Sequence, residues 1–272
     1  AFKEYLEQER SDKSEENVLN EALNGVKYTY NLDLLVYTKN VENKIVRSDS
    51  QELLTDIMKE TMGMDMTSMI AMGEESGMMS TSSMEMMSSF SMGGTSMVLW
   101  QEMLSGDDGK LINPLLEKQY DVIYGAWPNS YDEIVLVVDE KNEIDDVTLY
   151  ALGLLSKDEV KKVTEAAINR TEIDYVDRKW SFEDICDTEF RVILNSDCYR
   201  YDEASDSYVD MRETETGLKY LYDNATVLKV SGIIRPSEDA VSAMLSGSIG
   251  YTGKLTEYVV EKMYESAALK AQ

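Results

Sequence analysis

Thr226-Val-Leu-Lys-Val-Ser-Gly-Ile-Ile-Arg235 is the strongest strand in the second half of the chain, and Pro236 stops it. β-Branched and aliphatic side chains suit a pleated surface, and proline withholds the ladder donor that a continuing strand needs. Working back from it, Ser207 to Met211, Cys198 to Tyr201 and Phe190 to Leu194 read as shorter strands. Glu133-Ile-Val-Leu-Val-Val-Asp139 holds the longest pure apolar run, and Tyr120-Asp-Val-Ile-Tyr-Gly125 precedes it across a proline-containing turn. Near the N-terminus, Tyr28, Tyr30, Leu32, Leu34 and Val36 alternate with Thr29, Asn31, Asp33 and Leu35. That period of two predicts a half-buried strand, followed by a polar hairpin through Asn40 to Asn43.

Helices are interspersed among these strands. Ser14-Glu-Glu-Asn opens one with a capping residue and acids in its first turn, and Gly25 stops it. Others are predicted from Gln51 to Glu60, over Val98-Leu-Trp-Gln-Glu-Met-Leu104, and after Asn113-Pro114, with proline at the first helical position. Glu143 to Leu152 ends at Gly153, and Ser156-Lys-Asp-Glu159 is a capping box for a helix to about Asn169. From Thr252 a long amphipathic helix carries Leu255, Tyr258, Val259 and Met263 toward the chain end. Strands and helices mix without a regular βαβ period, so the fold class is α+β, with mixed sheets and flanking helices.

Composition narrows the function. The chain has 272 residues, 26 Lys+Arg against 52 Asp+Glu, and a formal net charge of −26. A field of that sign repels nucleic acid and anionic headgroups and attracts cations, so nucleic-acid binding is excluded. There is no histidine. Ser-His-Asp and Cys-His catalysis within the chain are therefore excluded, and the commonest metal ligand is missing. Cys186 and Cys198 are the only cysteines, and their spacing suits either one disulfide in an oxidising compartment or two small buried hydrophobes, with a slight lean to the second. No apolar run approaches the about 20 residues a membrane helix needs. The chain opens on Ala1 without a signal peptide, which reads as a piece of something longer.

All but three of the 17 methionines lie between Met58 and Met103, among Ser and Gly. Thioethers select Cu(I), and Met62, Met64, Met66, Met84, Met86 and Met87 are the candidate ligands. The competing readings are an adaptable apolar interaction loop and a plain low-complexity linker, which the Ser and Gly spacers favour. Asp202, Asp206, Asp210 and Glu213 fall at positions 1, 5, 9 and 12 of a calcium loop, but Ser207 replaces the glycine that such a loop requires. The flanking tyrosines make a hairpin the better reading. The acidic run from Asp139 to Asp146 falls in a turn and a first helical turn, where acids complement the helix dipole. No phosphate-binding loop, dinucleotide fingerprint or nucleophile elbow occurs. Nothing in the chain reads as catalytic, and no cofactor is implied.

Tyr120-Asp-Val-Ile-Tyr-Gly-Ala-Trp-Pro128, Glu133-Ile-Val-Leu-Val-Val-Asp139 and Tyr150-Ala-Leu-Gly-Leu154 together resemble the extracytoplasmic domain of MacB/FtsX-type ABC transporter permeases of Gram-positive bacteria. Leu228-Lys-Val-Ser-Gly-Ile-Ile-Arg-Pro236 is similar to a later strand of that family. Tyr28-Thr-Tyr-Asn-Leu-Asp-Leu34 is similar to the strand after its first membrane helix, and Ser248-Ile-Gly-Tyr-Thr252 with Leu255-Thr-Glu-Tyr258 to its return toward the second. Gly125, Trp127, Pro128, Glu133, Gly232 and Pro236 are the positions that carry the resemblance, in structural rather than catalytic roles.

The resemblance implies two subdomains. Residues 1–128 with 236–272 would be membrane-proximal (porter-like), carrying the Met-rich insertion at about 61–97, and residues 129–235 would be distal (sabre-like). It also implies a non-enzymatic role on the extracellular face of the cell membrane. Motion driven by ATP on a separate cytoplasmic subunit or domain would be relayed to a peptide, toxin or lipoprotein-like substrate. The partners would be the permease's own membrane helices and that ATP-binding unit, and the family allows a homodimer in the full transporter. The acidity suits a cationic peptide as substrate. The alternative is a secreted or surface-anchored binding module, with Cu(I) on the Met-rich segment.

Overall fold

The computed structural model describes residues 5, 8, 26–27, 32–49, 53, 57, 59–60, 99–106, 109–172, 178–203, 206–240, 242–245 and 248–266. The strand expected from Tyr28 begins, within these residues, as β1 at Leu35–Lys39, and a tight turn joins it to β2 at Ile45–Arg47. The hairpin through Asn40 to Asn43 forms as expected, with the Asn40 side chain accepting from the Glu42 and Lys44 amides and Asn43 at φ +60°. β3 is Trp100–Glu102. α1 (Pro114–Gln119) is capped by the Asn113 side chain and leads directly into β4 (Tyr120–Gly125). β5 (Glu133–Val137) is followed by α2 (Asp146–Ala151) and α3 (Lys157–Asn169). α4 (Phe182–Cys186), β6 (Glu189–Ile193), β7 (Tyr199–Asp202) and β8 (Ser207–Asp210) come next. The chain continues through α5 (Glu215–Asn224), β9 (Thr226–Pro236), β10 (Ile249–Tyr251) and α6 (Gly253–Glu265).

One mixed sheet runs β2-β1-β6-β9-β5-β10-β3, while β7 and β8 form a separate ribbon. β9 is the hub because its 11 residues are long enough to serve three partners. Its first half pairs antiparallel with β6, and its second half pairs antiparallel with β4. β5 runs parallel to it on the opposite edge. The result is mixed, with helices on both faces, in keeping with α+β. The sheet collects strands from both sides of Pro128 and Pro236.

Residue parity explains the two-sided core. Val36, Ile134, Leu136, Phe190, Val192 and Leu228 point to one face, where α2, α4 and α6 close over them through Leu152, Ile185, Leu255 and Val259. Leu35, Tyr37 and Ile193 point to the other face, against Leu221 and Tyr222 of α5. Val135 and Ile234 share that second face further along, against Leu116 of α1. In β9 the parity switches: Leu228 and Val230 share a face with Ile233 rather than with Gly232. The cause is a bulge at Ser231, which the β5 register skips between Val230 and Gly232.

Several expectations need correction. β1 is not half-buried, because Leu35, Val36, Tyr37 and Thr38 are all buried between the two helical layers. Val98–Leu104 is not a helix. Trp100–Glu102 is a strand that pairs parallel with β10. The helix expected from Glu143 starts later, where Asp145 caps it by accepting from the Thr148 amide. The last helix does not run to the chain end, for it closes at Glu265 with Ser266 extended and its amide donating to the Met263 carbonyl. α4 and α5 were not anticipated. Of the helix expected at 51–60, Leu53, Ile57, Lys59 and Glu60 are described and helical, and Leu53 and Ile57 pack against Leu149, Leu155 and Val160. The helix expected from Ser14 to Gly25 and the Met-rich segment at 61–97 lie outside the described residues.

Candidate functional site

Five of the six residues that carry the family resemblance meet at one junction. β4 ends at Gly125, which sits at φ +69° directly opposite Gly232 of β9. A Cβ on Gly125 would lie 2.2 Å from the Ser231 carbonyl oxygen, and one on Gly232 would lie 2.5 Å from the Ala126 carbonyl oxygen. Only a pair of glycines lets the two backbones approach so closely. The Ala126 amide donates to the Ser231 carbonyl at 2.9 Å. The bulged Ser231 hydroxyl is 3.1 Å from both the Ala126 and the Ile134 carbonyl oxygens, so it straps β4 and β5 onto β9. Trp127 then packs against the second-face cluster, and Pro128 is buried. The Glu133 carboxylate accepts from the Asn129 amide at 2.8 Å, which closes the turn between β4 and β5. Pro236 stands apart at the other end of β4, paired with Tyr120. This junction makes backbone contacts and holds no reactive group. Its role is to fix how three strands cross.

The other candidates are taken up by structural work. Asp202, Asp206 and Asp210 belong to the β7–β8 ribbon and its turn, as the hairpin reading expects. Asp206 accepts from the Tyr201 hydroxyl at 2.5 Å. Asp210 is paired with Arg212 at 2.5 Å, and that guanidinium holds its carboxyl below the usual range. Among the described residues no group of three or more Asp, Glu, Cys or His is placed to hold a metal ion. Met62, Met64, Met66, Met84, Met86 and Met87 lie outside the described residues. Asp139 accepts from the Lys141 and Glu143 amides at 2.8 and 2.7 Å, so the acidic run is turn and cap chemistry. Cys186 and Cys198 are both free thiols, and burial pushes Cys198 up to about 11. A thiol so far from ionisation is a packing group, not a nucleophile.

A cleft of about 1060 Å³ lies where α2, α3 and α4 meet the turn after β5. Its floor is apolar: Val138, Leu149, Leu155 and Ile185 are buried, and Val163 and Phe182 are half-buried. Trp180 stands at one side, packed between the main core and the cluster around Leu149. Lys141, Lys162, Arg178 and Lys179 also line the cleft, with the acids Glu143, Asp146 and Glu159. Glu159 is already engaged. Its carboxylate takes the Arg178 guanidinium and accepts from the Ser156 amide at 3.0 Å. The Arg178 contact and the capping hydrogen bonds from Ser156 hold it at about 2, so it is a fixed anion and no proton carrier at neutral pH. Sequence reading missed this cleft because its lining comes from four separated segments. The one local signal was Trp180 beside Arg178 and Lys179 in an otherwise polar stretch.

Comparison of the chain with protein-family models, with curated proteins and with solved structures finds no match. Among the described residues no helix is long and apolar enough to cross a membrane.

Proposed function

We propose that this chain is the non-enzymatic extracytoplasmic domain of a MacB/FtsX-type ABC transporter permease, relaying ATP-driven motion from the cytoplasmic side to a substrate outside the membrane. The observation that supports this reading is the junction at Gly125 and Gly232. Family-like residues separated by about a hundred positions in sequence fall on one crossing of β4, β5 and β9. A crossing strapped by Ser231 and closed by Glu133 is a stiff joint, which a domain that transmits force requires.

In this proposal the chain's partners are the membrane helices of its own permease and a separate ATP-binding unit, within an assembly that accommodates a homodimer. Its substrate is a peptide, toxin or lipoprotein-like molecule, and the −26 charge suits a cationic peptide. The two-subdomain division and a location on the extracellular face belong to the same proposal. The concentration of methionines supports a second reading, a secreted or surface-anchored module that binds Cu(I).

Sequencing the gene on both sides of the encoded chain tests the choice. One apolar stretch of about 20 residues upstream and three downstream would support the permease. A cleavable signal upstream with a stop codon after Gln272 would overturn it and leave the secreted module.

A further inference from the structure

We infer that the cleft between α2, α3 and α4 is a binding site for an amphipathic anion, a long acyl chain bearing a carboxylate or phosphate head. At about 1060 Å³ the cleft is at the upper end of small-molecule sites, which run to about 1,000 Å³. Its floor of Val138, Leu149, Leu155, Val163 and Ile185 presents no hydrogen-bonding side chain, so it recognises hydrocarbon and leaves polar ligands unsatisfied.

Charge then selects the head group. In the whole chain acids outnumber bases two to one, 52 against 26. In the lining of the cleft the balance reverses, four bases to three acids. Arg178 and Glu159 pair with each other, which leaves three bases to two acids. Lys141 on the turn after β5 and Lys162 on α3 are exposed, and among the described residues neither ammonium has an ion-pair partner. Cations near the wall of an apolar cleft favour an anionic head above an apolar tail, and they disfavour a cationic amphiphile. On a chain whose overall field repels anions, such a ligand is held only where bases are gathered locally. This site is independent of the transporter reading. An acyl-binding chain is equally consistent with a permease domain and with a secreted module, so either conclusion survives failure of the other.

The test is displacement of the fluorescent fatty acid cis-parinarate from the full 272-residue chain. Oleate should displace it saturably, and oleyl alcohol, which has the same tail without charge, should do so more weakly. Lys141→Glu combined with Lys162→Glu, both at exposed positions, should weaken oleate about tenfold and leave the alcohol unchanged. Ala166→Trp, which fills the cleft from α3, should abolish both while the circular dichroism spectrum stays that of the parent chain. Phosphatidylglycerol vesicles separate the two sources of such an anion. Co-sedimentation lost in both variants assigns the ligand to a lipid headgroup, and displacement by oleate without co-sedimentation assigns it to the free acid. Absence of saturable parinarate binding overturns the inference. So does binding that is the same in the parent and in both variants, because the amphiphile would then sit elsewhere on the chain.

Discussion

At the scale of single residues, the glycines at the β4–β9 crossing are tightly constrained. Gly125→Ala places a Cβ 2.2 Å from a backbone oxygen that cannot rotate away, at a positive φ that alanine resists. It should cost about 2 kcal/mol or more, read by urea denaturation. Gly109→Ala is the control: its φ is also positive, but nothing lies within 4 Å of the added carbon. It should cost clearly less than Gly125→Ala, and equal costs would show that strain in φ, not close approach, governs the crossing. Glu159 gives a pH-dependent counterpart. Its folded pKa is depressed from 4.5 to about 2, chiefly by Arg178, so its contribution is fully present above about pH 4.5 and is lost as pH falls toward 2. Glu159→Gln should therefore flatten the dependence of Tm on pH in that window, and an unchanged slope would mean the pair contributes nothing to folding. The glycine and tryptophan of the turn were legible in the sequence as a motif. The Ser231 bulge was not, because a bulge shows only in how two other strands register against β9.

At the scale of elements, the misreading of β3 has a physical origin. Leu99 and Met103 are both buried, and a spacing of four satisfies a helical period and a strand period equally. In so short a window only the pairing of Trp100–Glu102 with β10 decides between them. The two missed helices are a different case, for their start signals were present in the sequence. Ser181 and Asp184 form a full capping box, and Thr214 accepts from the Gly217 amide ahead of Leu218, Leu221 and Tyr222. Gly217 in the first turn masks the second signal, since glycine lowers helix propensity. Two threonines at helix starts should respond oppositely to loss of the hydroxyl. Thr214→Ala removes a working cap and should lower stability by about 1 kcal/mol. Thr252 precedes α6, is fully buried, and is the one buried side-chain polar atom without a partner among the described residues. Thr252→Val should be neutral or stabilising by about 0.5–1 kcal/mol, because it removes an unsatisfied group. Differential scanning calorimetry of the two variants reads both signs. A loss at Thr252 as large as that at Thr214 would reveal a partner for its hydroxyl.

At the scale of the molecule, the fold class follows from local pattern, while the hub does not. β9 was legible as a strand, yet that it would take β6 and β4 on one edge and β5 on the other depends on pairings between residues 34 to 116 positions apart. The cleft lies at the same scale, assembled from α2, α3 and α4, and no single segment announces it. Net charge is the molecular property that composition does fix, and it sets the response to salt. The ion pairs among the described residues, such as Lys161 with Glu60 and Lys219 with Asp223, keep their side chains partly in water. Each is worth roughly 0.2–1 kcal/mol and is weakened by screening. Against them stands self-repulsion from a charge of −26, which opposes the compact state and is screened by the same ions. With 26 acids in excess of all possible pairs, the repulsive part is the larger. Tm should therefore rise by several degrees as sodium chloride increases from about 0.01 M, where the Debye length is about 30 Å, to about 0.15 M, where it is about 8 Å. Arginine or lysine substituted for an exposed acid such as Glu238 should raise Tm at low salt and reduce that slope. A Tm that falls as salt is added would mean that the local pairs outweigh the net field, and that the acidity of this chain is spent within its own surface rather than left open to a cationic partner.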